Sequence, residues 1–187
     1  MTISRLSLSQ YLVRLGRDQR GVSAVEFAML LPLMITLYLG TVEVSQGVGI
    51  DRKVTLTART VADLAAQVTS ISSADMSSIL NASSQLIMPY DPSKLKVTVS
   101  QVLIDANSKA TIDWSCTLSG SAVHNKGDAV ALNAALANPN TSLIWGEVSY
   151  SYKPTIGYVV TGTLNLSDYI YMAPRLSSSV TLSSGTC

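Results

Sequence analysis

The sequence predicts an α+β fold in which one long N-terminal helix packs on a C-terminal antiparallel sheet. Three observations lead there. The stretch Val22–Gly40 is a 19-residue apolar run holding one charge, Glu26. Beyond it a helical apolar spacing continues, and no proline falls between residues 33 and 88. Alternating and β-branched segments then crowd the second half of the chain. Helix first and strands after is the order of domains in which a sheet covers one face of a helix.

As a helix the apolar run rises ~28 Å, about the thickness of a bilayer's hydrocarbon core. Arg5, Arg14, Arg17 and Arg20 precede it against the single acid Asp18, and Glu43 is the first charge after it. The positive-inside rule therefore puts residues 1–20 in the cytoplasm and the bulk of the chain on the far side. A cleaved secretory signal has a shorter apolar region and a small-x-small exit. Here the exit reads Tyr38-Leu39-Gly40-Thr41-Val42-Glu43, a poor site of that kind.

Glu26 lies five residues beyond Gly21, inside the apolar run. An ionised carboxylate there costs a few kcal/mol unless it finds a partner or reaches the headgroups. Cutting the chain after Gly21 would make Val22 a new N-terminus with Glu26 at its fifth position. The carboxylate of one such helix could then neutralise the amine of a neighbour in low dielectric. Charge logic alone leaves assembly and snorkelling both open.

Past Gly40, residues Val54, Ala58, Val61, Ala65 and Val68 recur at spacings of four and three, drawing one apolar seam. Asp51, Arg52, Lys53, Arg59, Asp63 and Gln67 fall off it. The helix is therefore read as continuous from about Val22 to about Ser70. Gly47 and Gly49 weaken it, and Pro32 is a potential kink within the membrane half. The seam is expected to pack on the protein's own sheet, with contact to other subunits as the alternative.

Ser72-Ser73-Ala74-Asp75 has the form of a helix cap, and the apolar residues Met76, Ile79, Leu80, Leu86 and Ile87 predict a second helix ending before Pro89. Leu95–Ile104 and Ala110–Thr117 read as strands joined by a turn at Asp105–Lys109. Residues 128–137, short and alanine-rich, read as helical. Thr141–Tyr152, Tyr158–Leu166 and Ser178–Leu182 complete the predicted strands.

The composition is 47% apolar and 13% charged, with a net charge of +1. Residues 1–21 balance to +3, which leaves −2 for the remaining 166, so no nucleic-acid-binding surface is expected. With one histidine and two cysteines, a Cys/His metal site is not expected, nor is any cofactor. In an exported domain Cys116 and Cys187 are expected to pair. That loop of ~70 residues would contribute roughly 4 kcal/mol in the chain-entropy account, usually less in practice.

No nucleophile elbow, phosphate-binding loop or zinc-helix motif occurs. His124 stands in the polar stretch Ser121–Asp128 and reads as a surface residue, and no catalytic residue is assigned. Gly47-Val48-Gly49 is no dinucleotide fingerprint, because no strand precedes it. Trp114, Trp145, Tyr150, Tyr152, Tyr158, Tyr169 and Tyr171 are expected to alternate between core and surface. An aromatic binding platform is the minor alternative.

The junction Arg20-Gly21-Val22-Ser23-Ala24-Val25-Glu26-Phe27 resembles the processing site of type IV pilin-like proteins, and more specifically the TadE/TadF-like pseudopilins of the tight-adherence (Flp) pilus system. Their pattern is a glycine, four residues, then Glu followed by Phe or Tyr, opening a long apolar helix. Every position is matched. Gly40–Gln46, Asp51–Val54 and Thr60–Leu64 look like the helix extension of these proteins, and Tyr150–Pro154 and Ala173–Arg175 like their C-terminal segment.

The resemblance implies a pilin-like fold and cleavage by a prepilin peptidase between Gly21 and Val22, an activity of the partner rather than of this chain. It implies partners in major pilin, other minor pseudopilins and the inner-membrane assembly platform, besides the lipid bilayer. Glu26 and Phe27 would serve assembly. The chain divides accordingly into a basic leader at 1–21, a transmembrane helix at 22–42, its soluble extension at 43–70 and a periplasmic α+β domain at 71–187. The implied location is a bacterial inner membrane, with the pilus or cell surface as a destination after assembly. The implied work is structural: initiating, capping or building an adhesive pilus. The alternative is an uncleaved, signal-anchored periplasmic protein that binds a ligand or partner. An anchored enzyme would need a convergent polar site, for which the sequence offers no candidate.

Overall fold

The computed structural model describes residues 20–118, 124–154 and 162–183. The leader up to residue 19, the predicted strand start at Tyr158 and Cys187 lie outside them.

Helix α1 spans Arg20–Ala66, 47 residues and ~70 Å long, with Pro32 inside it. It ends earlier than the Ser70 the spacing predicts. The Gln67 N–H tightens onto the Leu64 carbonyl at 3.4 Å, and the Arg175 N–H caps the Ala66 carbonyl at 2.9 Å. Satisfying those last carbonyls from outside frees the chain to leave the helix. Strand β1, Ser70–Ile71, follows at once.

Helix α2, Ser73–Leu86, opens with the capping box the sequence suggests. The Ser72 hydroxyl accepts the Asp75 N–H at 3.1 Å, and Asp75 Oδ2 accepts the Ser72 N–H at 3.4 Å. A short 3₁₀ turn at Pro92–Lys94 leads into β2, Leu95–Ile104. Strand β3 is Ala110–Thr117. Both strands keep their predicted ends because the turn between them is self-contained: Asp105 Oδ1 accepts the N–H groups of Asn107 and Lys109, each at 2.8 Å.

Residues 128–137 are not a helix. Ala129–Val130 form β4, paired with Thr111 and Ala110, and turns follow. The alanines are too few to nucleate a helix unaided, and local polar groups compete for the backbone. Asn133 Oδ1, for one, accepts the Ala135 N–H at 3.0 Å. Strand β5 is Thr141–Tyr152, as predicted. Strand β6 runs Leu164–Met172, further along the chain than the predicted Tyr158–Leu166. Asp168 sits mid-strand, its Oδ2 accepting the Thr55 hydroxyl of α1 at 2.6 Å. Strand β7, Thr181–Leu182, pairs in parallel with β1.

The main sheet is antiparallel with order β4-β3-β2-β5-β6. One face receives the second half of α1. Ile50, Val54, Ala58, Val61, Ala62 and Ala65 are buried against Val97, Val99, Ile144, Val148 and Tyr150, which is the sheet-packing reading of the seam. Each such large aliphatic contributes roughly 1.5–3 kcal/mol by leaving water.

A bulge between Gln101 and Val102 gives the sheet a second, smaller core. Gln101 pairs with Trp114 but Val102 pairs with Ile112, leaving Asp113 as the extra residue. The inserted residue reverses which face β3 presents. Trp114 and Cys116 join the helix-side core, whereas Ile112 joins Val102, Ile104, Ala110 and Leu143 in the second cluster.

Candidate functional site

Among the described residues nothing covers the first half of α1. Every described residue from Gly21 to Tyr38 is exposed, including Val22 (53%), Phe27 (59%) and Glu26. Gly21 and Val22 lie in helical backbone at its start, and Gly21 meets no neighbouring atom within 4 Å of where a side chain would begin. Val22 and Glu26, four residues apart, stand one turn above the other on a single face. The structure thus gathers Gly21, Val22, Glu26 and Phe27 at one uncovered end, and Cys116 lies far from them in the domain.

Cover begins abruptly at Gly40 and Glu43, both buried. Glu43, at 2% exposure, is a buried acid that the sequence reading treats only as the first charge past the membrane. It lies close enough to Tyr152 that its charge helps raise that phenol's pKa, after burial as the larger cause. Gly47 and Gly49 do not break the helix. They make room on it: a methyl at Gly47 would sit 3.7 Å from the Tyr152 ring and one at Gly49 3.4 Å from the Tyr90 hydroxyl. Val44, Val48, Leu56 and Leu64 remain exposed. Their spacings are multiples of four, so they follow one row that winds about 200° around the helix and also carries Arg52 and Thr60.

Cys116 is buried at 1% and lies on the helix side of β3, two residues from Trp114. Trp114 Nε1 donates to the Val180 carbonyl and to Gln101 Oε1, each at 2.8 Å, which ties the chain's C-terminal segment to this part of the sheet. The Ser183 N–H donates to the Ile71 carbonyl at 2.9 Å. Cys187 is outside the described residues.

The opposite face of the sheet holds a constellation that sequence reading misses. His124 is not a free surface residue. Its ring stacks on Trp145 with centroids 4.6 Å apart, and its Nε2 lies 2.6 Å from Glu147 Oε2. Trp145 stacks in turn on Tyr171 at 5.5 Å, and Tyr169 meets Tyr171 edge-on at 5.8 Å. Burial, with smaller repulsions from Tyr169 and Glu147, pushes the Tyr171 phenol up to about 12. The signal was available only in part: Trp145 and Glu147 share one face by alternation, but β6 and the loop of His124 cannot be set beside them from spacing alone. Among the described residues no group of three or more His, Cys, Asp or Glu is placed to hold a metal.

A helix of this length and apolarity near the N-terminus is long enough to cross a membrane, with mean hydropathy 1.9 over its most apolar window. Residues 21–63 match the family described as TadE-like protein. Over that span the helix is similar to the TadE-like family. The match starts at Gly21 and covers both the exposed half of this helix and most of the half that packs on the sheet. Comparison with curated proteins and with solved structures gave no significant match.

Proposed function

We propose that this chain is a minor, pilin-like structural subunit of a tight-adherence pilus, inserted as a precursor, trimmed after Gly21 and assembled through its TadE-like helix. The observation that carries this reading is the division of that helix. Its second half is committed to the chain's own sheet, whereas Gly21–Tyr38, and further along Val44, Val48, Leu56 and Leu64, are left uncovered by the described residues. An apolar helix face of that extent is suited to lipid and to other helices. In assembly, Glu26 of one subunit neutralises the new Val22 amine of a neighbour, and Phe27 packs beside it. Major pilin, other minor pseudopilins and the inner-membrane platform are the partners this requires, and the prepilin peptidase is the processing enzyme. The domain stands in the periplasm or, after assembly, at the pilus or cell surface, where it supports adhesion. Its role is structural rather than catalytic.

A Cys116–Cys187 bridge belongs to the same reading. It is supported by the presence of only two cysteines in the chain, by the lack of a free thiol among the described residues, and by the course of the C-terminal segment past Trp114.

The test is intact mass of the protein from its native host, with and without the prepilin peptidase. Peptidase-dependent loss of residues 1–21 is expected, leaving Val22 first. A Glu26→Gln variant should still be trimmed but should no longer be recovered with the other pilus subunits. A second reading, an uncleaved anchor bearing a binding domain, draws on the concave outer face of the sheet. It requires the full mass in both strains and tolerance of Glu26→Gln.

A further inference from the structure

The outer face of the main sheet, turned away from α1, is built unlike the rest of the molecule. Strand pairing lines up three rungs across β2, β5 and β6: Lys96, Ser149 and Ser167; then Thr98, Glu147 and Tyr169; then Ser100, Trp145 and Tyr171. None of these nine positions is aliphatic. A merely solvated sheet face is usually polar with scattered charge. Here three aromatic rings, one carboxylate, one ammonium and four serine or threonine hydroxyls fall within three rungs.

The face is also concave. A depression of about 370 Å³ is lined by Lys96, Thr98, Glu147, Ser149, Ser167 and Tyr169, with Val148 and Asp168 completing it. Tyr169 is 63% exposed, an unusual surplus for a large ring beside a hollow. Its phenyl is buttressed edge-on by Tyr171, which is stacked on Trp145 and through it on His124. The carboxylate is held as well, because His124 Nε2 takes one oxygen of Glu147 at 2.6 Å. Glu147 keeps 29% of its side chain exposed. Ring and carboxylate are directly opposite across β5 and β6, and Thr98 is opposite Glu147 on the other side.

We propose that this depression is a saccharide-binding site, and that its ligand is a β-linked hexopyranose chain. The chemistry selects the class. A pyranose with equatorial substituents has a flat face of C–H bonds that covers an exposed phenol ring, and a rim of hydroxyls that both donate and accept. Glu147 accepts from a vicinal hydroxyl pair, Lys96 donates to ring or hydroxyl oxygens, and the serine and threonine hydroxyls do either. An apolar helix or peptide would leave these groups desolvated and unpaired. A polyanion would meet Glu147. Tyr169 is the platform and Glu147 the anchor, pre-set by His124 and Tyr171 so that little order is lost on binding. The site belongs to the exported domain and stands whether or not the helix enters a filament.

The experiment is a titration of the full chain in phospholipid nanodiscs with cellotetraose and with chitotetraose, following tryptophan emission. Trp145 borders the site, whereas Trp114 is 7% exposed on the far side and supplies a constant background. A saturable change with at least one of the two is expected. Tyr169→Ala should weaken it about tenfold and Glu147→Gln severalfold, as for a stacked ring and a charged anchor at the centre of a site. Leu176→Ala, exposed and outside the face, should leave it unchanged. Thermal unfolding of each variant separates lost binding from lost fold, and Tyr169, being exposed, is the safer of the two to remove. No saturable response to either saccharide up to its solubility limit overturns the assignment. So does a response that survives in both folded variants, since the sugar would then be bound elsewhere.

Discussion

A side-chain carbon on Gly146 would lie 2.9 Å from the Ala58 carbonyl oxygen and 3.0 Å from the Ala62 methyl. Helix and sheet therefore touch through backbone at the middle of β5, where any larger residue would hold them apart. Gly146→Val should lower stability by about 1–3 kcal/mol, the cost of forcing volume into a packed interface. The denaturant midpoint reads it, and a midpoint equal to wild type would mean that α1 can lift from the sheet at no cost.

Asp168 joins the sheet's edge strand to the helix. Its Oδ2 accepts the Thr55 hydroxyl at 2.6 Å, and its Oδ1 accepts the Tyr169 N–H at 2.8 Å. Thr55→Val leaves a half-buried carboxylate one donor short, at a cost of about 1–2 kcal/mol. Combined with Asp168→Asn in a double-mutant cycle, the two losses should be less than additive. Strict additivity would show that the contact carries no coupling.

If Cys116 and Cys187 are bridged, a digest under non-reducing conditions yields one peptide pair joined at these residues, and reductant separates it. Cys116→Ser should then destabilise the domain by up to ~4 kcal/mol, with a smaller loss if the unfolded chain retains structure. Quantitative thiol labelling of the native, unreduced protein would rule the bridge out.

The domain should weaken in alkali. The phenols of Tyr150, Tyr152 and Tyr171 are all raised, with burial as the leading cause in each, and Tyr171 is pushed up to about 12. An acid whose folded value lies above its unfolded one contributes fully below the unfolded value, about 10. Its contribution is then lost as pH climbs through the folded value. Stability should be level below pH 10 and fall between there and about 12. Phenolate absorbance should show these three tyrosines ionising late. Ionisation of all eight tyrosines in one step near 10, before unfolding, would contradict the packing around them.

The elements that sequence specified well are those whose signals are local. The cap at Ser72 and Asp75, the turn at Asp105 and the 3.6-residue seam through Val54, Ala58, Val61 and Ala65 each act within a few residues, and each appears where spacing puts it. The errors are non-local. Residues 128–137 lose their helix to turns and to two bridge pairs with β3, and β6 lies further along than spacing puts it, tied to a helix residue 113 positions away through Asp168. The bulge at Gln101 is subtler still. Strand β3 alternates regularly in sequence, yet its buried residues serve two different cores. Gly21, Glu26 and Phe27, proposed for processing and assembly, fall within seven positions of one another, so their shared place at one end of α1 could be read directly. The outer-face constellation could not, because His124, Glu147 and Tyr169 meet only after the sheet is laid down.

The helix passes from its uncovered half to its covered half without a hinge: Tyr38 is 69% exposed, and Gly40, two residues on, is buried. With the apolar half in a bilayer, the domain rides on the lipid surface like the blade of an oar fixed to its shaft. Rotating the shaft turns the blade, and a pull along it reaches the sheet undamped. The compass direction in which the outer face looks is therefore decided by how the helix is gripped within the membrane, tens of ångströms below.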